Sequence, residues 1–431
     1  MRHFKSNYFI YKNNILYCEG ISIKEIVETA GTPVYIYSKK FFVDRYNDFN
    51  NAFKKLNHKV FFAAKSNFNI NVIKIFSDLG AGIDVNSHGE LIRALKAGAE
   101  SETIIFSGVG KTPEEIKLAI QKNILMIKAE SVQEIHLINE IAKNMRKVAS
   151  VAVRINPDVN PKTHPYISTG LSQNKFGIDT KTALNIYKKF KDFKNIRFTG
   201  IDMHIGSQIT KVEPFLEAVD KMVDVFKRIK NYGVNLQHID FGGGYGVTYN
   251  DEKVIPLKKL ADLIIPKLND LDCDIFFEPG RFLTANGGIL VTRVLFTKKN
   301  GRKNFVIVDS AMNDLLRPSI YRAYHHIQPV LKKASRDIKA DIVGPVCESG
   351  DFFAKDRKIT NVKTRNLLAI MSAGAYSMVM SSNYNGRRRP PEVIVDGSKF
   401  FVARNRETYQ HLLYDEKIIT RLHAGNDRNK K

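Results

Sequence analysis

Between residues 58 and 280, short apolar runs alternate with amphipathic stretches, and this alternation limits the fold more than any other feature of the chain. The runs at 60–64, 82–85, 103–106, 124–127, 148–155, 198–204, 238–241 and 274–277 have strand length and polar borders. The stretches at 71–79, 89–97, 113–121, 132–143, 181–191, 212–231 and 256–268 carry apolar residues at helical spacing. Thr112 before Pro113 reads as an N-cap with proline at the first helical position, and Ser87 and Ser131 are further N-cap candidates. Strand–helix alternation implies right-handed parallel units. Eight strands in about 220 residues is the count of a (β/α)8 TIM-type barrel. The alternative, a doubly wound open sheet, lacks a G-x-G-x-x-G turn after its first strand.

The flanks show another pattern. Residues 288–308 read as a β-hairpin turning at Asn300-Gly301, and residues 392–403 repeat the arrangement around Asp396-Gly397. Residues 8–17 and 33–37 are also strand-like. The expected organisation is α/β: N-terminal strands at 1–37, a (β/α)8 barrel at 38–285, a mainly β C-terminal domain at 286–418 completed by those N-terminal strands, and a basic tail at 419–431.

With 43% hydrophobic residues the chain can bury a large core. No apolar run approaches the ~20 residues that span a bilayer. The N-terminus lacks an apolar signal core, so a cytoplasmic protein with no membrane partner is expected. Cys18, Cys273 and Cys347 are odd in number and widely spaced, which fits free thiols and offers no metal-ligand pattern. A net charge of +23 raises nucleic acid as a partner. The basic residues are spread along the chain, however, with no aromatic interleaving, so they are taken as solvated surface with some share for anionic ligands. No nucleic-acid partner is expected.

In such a barrel the residues at the strands' C-terminal ends share one rim, the face where chemistry is done. That rule collects Lys65, Asp84, Ser107, Arg154, His204 with Ser207, Gly242-Gly243-Gly244, and Glu278-Pro279-Gly280-Arg281. Lys65 ends its apolar run, and a desolvated amine has a lowered pKa and can attack a carbonyl carbon. Alone, a strand-end lysine more often snorkels to water. The glycine triplet, Gly243 and Gly244 above all, can cradle a phosphate with unobstructed N–H groups, or be no more than a tight turn. Its place after the seventh strand favours phosphate. Glu278 can keep a pyridine nitrogen protonated, and His204 can lie against an aromatic ring; separately, each could be a satisfied core group. Amine, phosphate cradle, pyridinium partner and stacking histidine together describe a pyridoxal phosphate site.

Beyond the barrel, Cys347-Glu348 sits in the glycine-rich stretch Gly344-Pro345-Val346-Cys347-Glu348-Ser349-Gly350-Asp351. There a thiol can give up a proton and a carboxylate can accept from an ammonium. Arg317 and Tyr321 can hold a carboxylate, and Tyr376 in a small-residue turn suits a phosphate oxygen.

The ordered set of motifs resembles the fold-type III pyridoxal phosphate decarboxylases over nearly the whole chain. It comprises Phe61-Phe62-Ala63-Ala64-Lys65-Ser66-Asn67, residues 163–170 and 174–177, His204-Ile205-Gly206-Ser207-Gln208, the glycine triplet, residues 278–281, 316–321 and 344–351, and Gly374-Ala375-Tyr376. Ser66 stands where the family often has alanine. The branch most similar acts on meso-2,6-diaminopimelate, so the resemblance implies decarboxylation to L-lysine and CO2, the last step of lysine biosynthesis. It also implies pyridoxal 5′-phosphate held by Lys65, and a homodimer whose active sites take Cys347 and Glu348 from the partner. Cys347 becomes the proton donor. Asp84, His204, Ser207, Gly243, Gly244, Glu278, Pro279, Gly280, Arg281 and Tyr376 become cofactor contacts. Arg281, Arg317, Tyr321, Glu348 and Tyr376 become substrate contacts. A related ornithine, arginine or carboxynorspermidine decarboxylase is the nearest alternative, and a non-catalytic cofactor-carrying or nucleic-acid-binding protein the distant one.

Overall fold

A computed structural model describes residues 6–419 apart from Lys162 and Ser168. Eight parallel strands close into a barrel: His58–Ala63, Gly82–Val85, Ile104–Phe106, Met126–Ala129, Ala149–Asn156, Ile196–Asp202, His238–Asp240 and Asp274–Phe277. They neighbour one another in chain order, and the last pairs with the first through Ile275–His58, Phe276–Lys59 and Phe277–Val60. All eight expected strands are present, so the TIM-type barrel is observed and the open sheet is not. The helices begin where the sequence signals placed them. Ser87 and Ser131 cap the helices His88–Lys96 and Val132–Asn144, and Thr112 forms a full capping box with Glu115. Each such cap stabilises its helix by about 1 kcal/mol.

Two-residue periodicity explains the barrel interior. Val60 and Phe62 face outward into the main core, while Phe61 turns inward and meets Phe276 at 4.7 Å between ring centres. Ile105, Met126 and Ala152 complete this inner apolar plug. Gly82 belongs to the same layer, because a Cβ there would lie 2.3 Å from the Phe61 ring. Two residues further along each strand the side chains point the same way, one layer nearer the rim. That step leads from Gly82 to Asp84, Met126 to Lys128, Ala152 to Arg154, Gly200 to Asp202, His238 to Asp240 and Phe276 to Glu278. The apolar plug therefore carries a layer of buried charge.

Apart from the short strand Ile178–Asp179, which pairs with the fifth barrel strand, the remaining strands form β sheets from both chain ends. Val34–Ser38 lies between Gly288–Asn300, antiparallel, and Glu392–Asp396, parallel. Both expected hairpins exist, but each turns one residue later than expected. Asn300 pairs with Lys303 and Asp396 with Lys399, so Gly301-Arg302 and Gly397-Ser398 occupy the turns. Gly301 and Gly397 take the positive φ at the first turn position (55° and 61°), and the preceding Asn or Asp stays in the ladder. Except for Ile419, the expected basic tail lies outside the described residues. Among those residues no helix is long and apolar enough to cross a membrane.

Candidate active site

At the C-terminal mouth of the barrel a cavity of about 450 Å3 is lined by Lys65, His204, Ser207, Arg281, Arg317, Tyr321 and Tyr376, with Tyr249 and Arg154 among the other walls. The fold therefore brings these seven expected site residues to one space. The first barrel strand ends at Ala63, and a single 3-10 turn, Ala64–Ser66, presents Lys65. The neighbouring β sheet fixes that turn: Tyr376 N–H donates to Ser66 O (2.8 Å), and Asn67 Nδ2 donates to Gly374 O (3.2 Å). At Gly374 a Cβ would lie 1.9 Å from Thr284 O, so only glycine lets this turn approach the barrel closely enough to bring Tyr376 in.

Lys65 differs from its sequence-based description in one respect. Its side chain is one third exposed (33%) to the cavity, and its Nζ lies 3.5 Å from Asp84 Oδ2. Burial pulls the amine's pKa down, but Asp84, then Glu278 and Tyr376, outweigh that pull, and the group is held above the ordinary lysine value. The expectation of an amine freed by desolvation alone is corrected by these carboxylates. His204 behaves oppositely: burial and the cations Lys65, Arg154 and Lys128 push it well below the ordinary imidazole value. Its Nδ1 accepts the Gly243 N–H at 3.1 Å, so the neutral ring carries its proton on Nε2.

The glycine triplet is shaped first by the protein itself. Added Cβ atoms at Gly243 and Gly244 would lie 2.3 Å from Glu278 O and 2.4 Å from Gly206 O. The Gly242 and Gly243 N–H groups are taken by Asp240 and His204. Among the described residues only Gly244 of the three has no protein acceptor for its N–H. Pro279 and Gly280 lie behind the wall, and Gly280 packs closely on Ala63 and Ser66.

Beneath the cavity is a cluster that the strand-end reading missed. Lys128 Nζ is fully buried and donates to Asp202 (2.8 Å), to Asp240 (2.5 Å) and to Glu278. Arg154 pairs with Glu130 at 3.0 Å. Asp84 Oδ1 is buried without a hydrogen-bond partner. Burial, then the neighbouring carboxylates, raise the pKa of Glu278 well above the ordinary carboxyl value and that of Asp240 to about 6.

Tyr249 was also not anticipated. Arg281 Nη1 donates to its phenol oxygen at 2.7 Å, and Arg317 stacks on its ring at 4.5 Å. Burial alone would raise this phenol's pKa, but the two guanidiniums reverse that and hold it below its ordinary value. Arg317 also donates to His325 Nε2 (3.0 Å). His325 donates from Nδ1 to Met371 O (2.8 Å) and is kept neutral by burial and by Arg317, its pKa lowered to about 3. Arg281 in turn reaches Ser207 Oγ (3.0 Å) and stacks on Tyr376 (4.7 Å). Cys347 and Glu348 do not line this cavity. Both are exposed on a turn where Glu348 Oε1 accepts the Gly350 N–H.

The donor set fits pyridoxal phosphate. An amine, a hydroxyl and guanidiniums line the cavity, and a surplus of carboxylates with one unpartnered oxygen lies buried beneath it. Residues 40–285 match the pyridoxal binding domain of the pyridoxal-dependent decarboxylases. A diaminopimelate decarboxylase of Aquifex aeolicus is 45% identical over 407 residues, covering 94% of this chain and 96% of that protein. The diaminopimelate decarboxylase of M. jannaschii, solved in complex with L-lysine, superposes with a TM-score of 0.91 at 37% identity, covering 96% of this chain and 98% of that one. The Helicobacter pylori enzyme, also with L-lysine, gives 0.88 at 40% identity, covering 91% and 98%. Sequence, fold and donor set agree: the chain belongs to the diaminopimelate decarboxylase family of pyridoxal-dependent decarboxylases.

Proposed function

We propose that the chain decarboxylates meso-2,6-diaminopimelate to L-lysine and CO2, as the last step of lysine biosynthesis, in the cytoplasm. The observation that carries this reading is the pair of buried arginines, Arg281 and Arg317, held against Tyr249 on the wall of the cavity that Lys65 also lines. A substrate with a second carboxylate, remote from the reacting centre, is what such a wall selects. Planar guanidiniums bind carboxylates bidentately, and a substrate lacking that carboxylate leaves buried charge unpaired.

When bound, pyridoxal 5′-phosphate supplies the sink for the electron pair that departing CO2 leaves behind. Lys65 anchors the cofactor covalently. Asp84 and Glu278 set the charge around that amine, and Glu278 would be the partner of the ring nitrogen. His204, neutral and fixed through Gly243, would lie against the ring. Ser207, Gly244 with its free N–H, Arg281 and Tyr376 hold the phosphate, while Gly243, Pro279 and Gly280 fix the backbone around Glu278. Arg281, Arg317, Tyr321 and Tyr376 grip the distal carboxylate. Glu348 of the partner subunit accepts from the distal ammonium, and Cys347 of the partner subunit delivers a proton to carbon. Their exposure, away from their own chain's cavity, supports a homodimer with shared sites. In this reading the working units are 1–37, 38–285 and 286–418.

Incubating the full chain with pyridoxal phosphate and meso-diaminopimelate should release lysine and CO2; ornithine, arginine and lysine supplied instead should turn over poorly. Absence of lysine overturns the proposal. For the shared site, inactive Lys65→Ala and inactive Cys347→Ala chains are mixed. A symmetric dimer that exchanges these residues recovers about a quarter of the sites in the mixture. No recovery from subunits shown to have exchanged would place both residues in one chain's site.

A further inference from the structure

Lys128 is fully buried, lies below the residues that line the cavity, and has no part in the steps above. The apolar plug lies below it, and polar groups surround its ammonium in its own layer. Facing it are Asp202 on the sixth barrel strand, Asp240 on the seventh and Glu278 after the eighth, all hydrogen-bonded to it. Asp84 on the second strand adds a further carboxylate, while Lys65, Arg154 and the ring of His204 complete the surroundings. Arg154 pairs with Glu130 and also lies 3.9 Å from Asp202, and Lys65 pairs with Asp84, so the floor and its surroundings set three cations against five carboxylates. That leaves one ammonium for three carboxylates in direct contact with it. Three carboxylates at this spacing could hold a metal ion, but the ammonium already occupies the space they share.

We propose that Lys128 is a positioning residue that fixes the charge of the barrel floor, gathering Asp202, Asp240 and Glu278 so that one proton stays shared between Asp240 and Glu278 beneath the cofactor ring. The ammonium supplies enough positive charge to keep the three groups together, and too little to let all three ionise. Building on the assignment of Glu278 to the ring nitrogen, the stored proton has a use. Glu278 would be placed to give it to that nitrogen once a cofactor is bound, its carboxyl O–H breaking as an N–H forms, and the resulting carboxylate would balance the charge gained by the ring. The floor then needs no proton from solvent, from which the apolar plug and a filled cavity separate it.

The test compares the parent with Lys128→Met, Asp240→Asn and the double variant Lys128→Met/Asp240→Asn, all as full chains. Urea unfolding of the cofactor-free proteins is followed between pH 6 and 9. A proton retained only by the folded state makes the unfolding constant rise tenfold per pH unit. Asp240→Asn removes the shared proton and should flatten the parent's slope. Lys128→Met forces a second proton onto the floor and should steepen the slope by up to a further tenfold per unit. The double variant restores the charge count and should return to the parental slope. If Lys128→Met does not fold, folding of the double variant supports the same account. Asp240→Asn with the parental slope, or a double variant whose slope departs from the parent's, overturns the proposal. These measurements need neither cofactor nor substrate, so their failure is separate from failure of the decarboxylase reading. Titrating each folded variant with pyridoxal phosphate, with the ring nitrogen followed by 15N chemical shift, tests the hand-over itself. A ring nitrogen unprotonated in the parent overturns that step.

Discussion

Replacing Tyr249 by phenylalanine removes one oxygen from the wall and leaves the ring on which Arg317 stacks. That oxygen accepts from Arg281 Nη1 at 2.7 Å in a buried setting. A hydrogen bond to a charged group contributes about 1.5–3 kcal/mol. At 1.36 kcal/mol per decade this is about a 10- to 150-fold effect. Arg281 keeps its bonds to Ser207, so the lower end is expected. The loss should fall on recognition of the distal carboxylate: KM for meso-diaminopimelate should rise about tenfold or more while kcat changes little. The assay is steady-state lysine release, with cofactor affinity measured separately by absorbance titration. A KM within twofold of the parent would refute the idea that Tyr249 holds the arginine pair in its binding geometry. A drop in cofactor affinity with unchanged KM would move its role to the phosphate.

Other perturbations bear on separate links. Lys65→Ala should fold and lose the visible absorbance of covalently held cofactor; an unchanged spectrum removes Lys65 as the anchor. Gly374→Ala forces a Cβ to 1.9 Å from Thr284 O, a backbone atom, so a loss of about 1–3 kcal/mol in stability is expected together with weaker cofactor binding through displaced Tyr376. Stability and affinity equal to the parent would show that this turn can yield. Asp314 is buried, and burial raises its pKa to about 7. Its folded value exceeds its unfolded one, so its contribution is complete below the unfolded pKa of about 4 and is lost as pH rises to 7. Asp314→Asn should flatten unfolding stability across that window; an unchanged profile would exclude this carboxyl as the source.

The barrel was legible because its strands are buried on both faces and stand out as apolar runs, and because Ser87, Thr112 and Ser131 mark helix starts by a local hydrogen bond. Lys128 was missed, although a signal exists. The strand step from Met126 to Lys128 puts a charge at an inward position, as the step from Phe276 does for Glu278. Attending only to residues beyond each strand's end discards that layer. The pKa of Lys65 depends on how many carboxylates converge from other strands, which no local window contains. Tyr249 meets Arg317 from a distant segment, and His325 reaches it from just beyond the helix Arg317–Tyr321 by a turn that no periodic pattern announces. The hairpin turns were misplaced by one residue because an Asn-Gly or Asp-Gly pair can occupy the turn together or leave its first member in the ladder.

The strand Val34–Ser38 also has a consequence for the order in which the chain can assemble. Its parallel neighbour, Glu392–Asp396, lies roughly 350 residues further along the chain. At ~5–20 residues per second, about 20–70 s pass on the ribosome between the two. The barrel strands all emerge in that interval and find their neighbours in sequence order. The first long strand to be made therefore waits with an unpaired edge, and the sheet that positions Tyr376 closes only when the chain is almost complete.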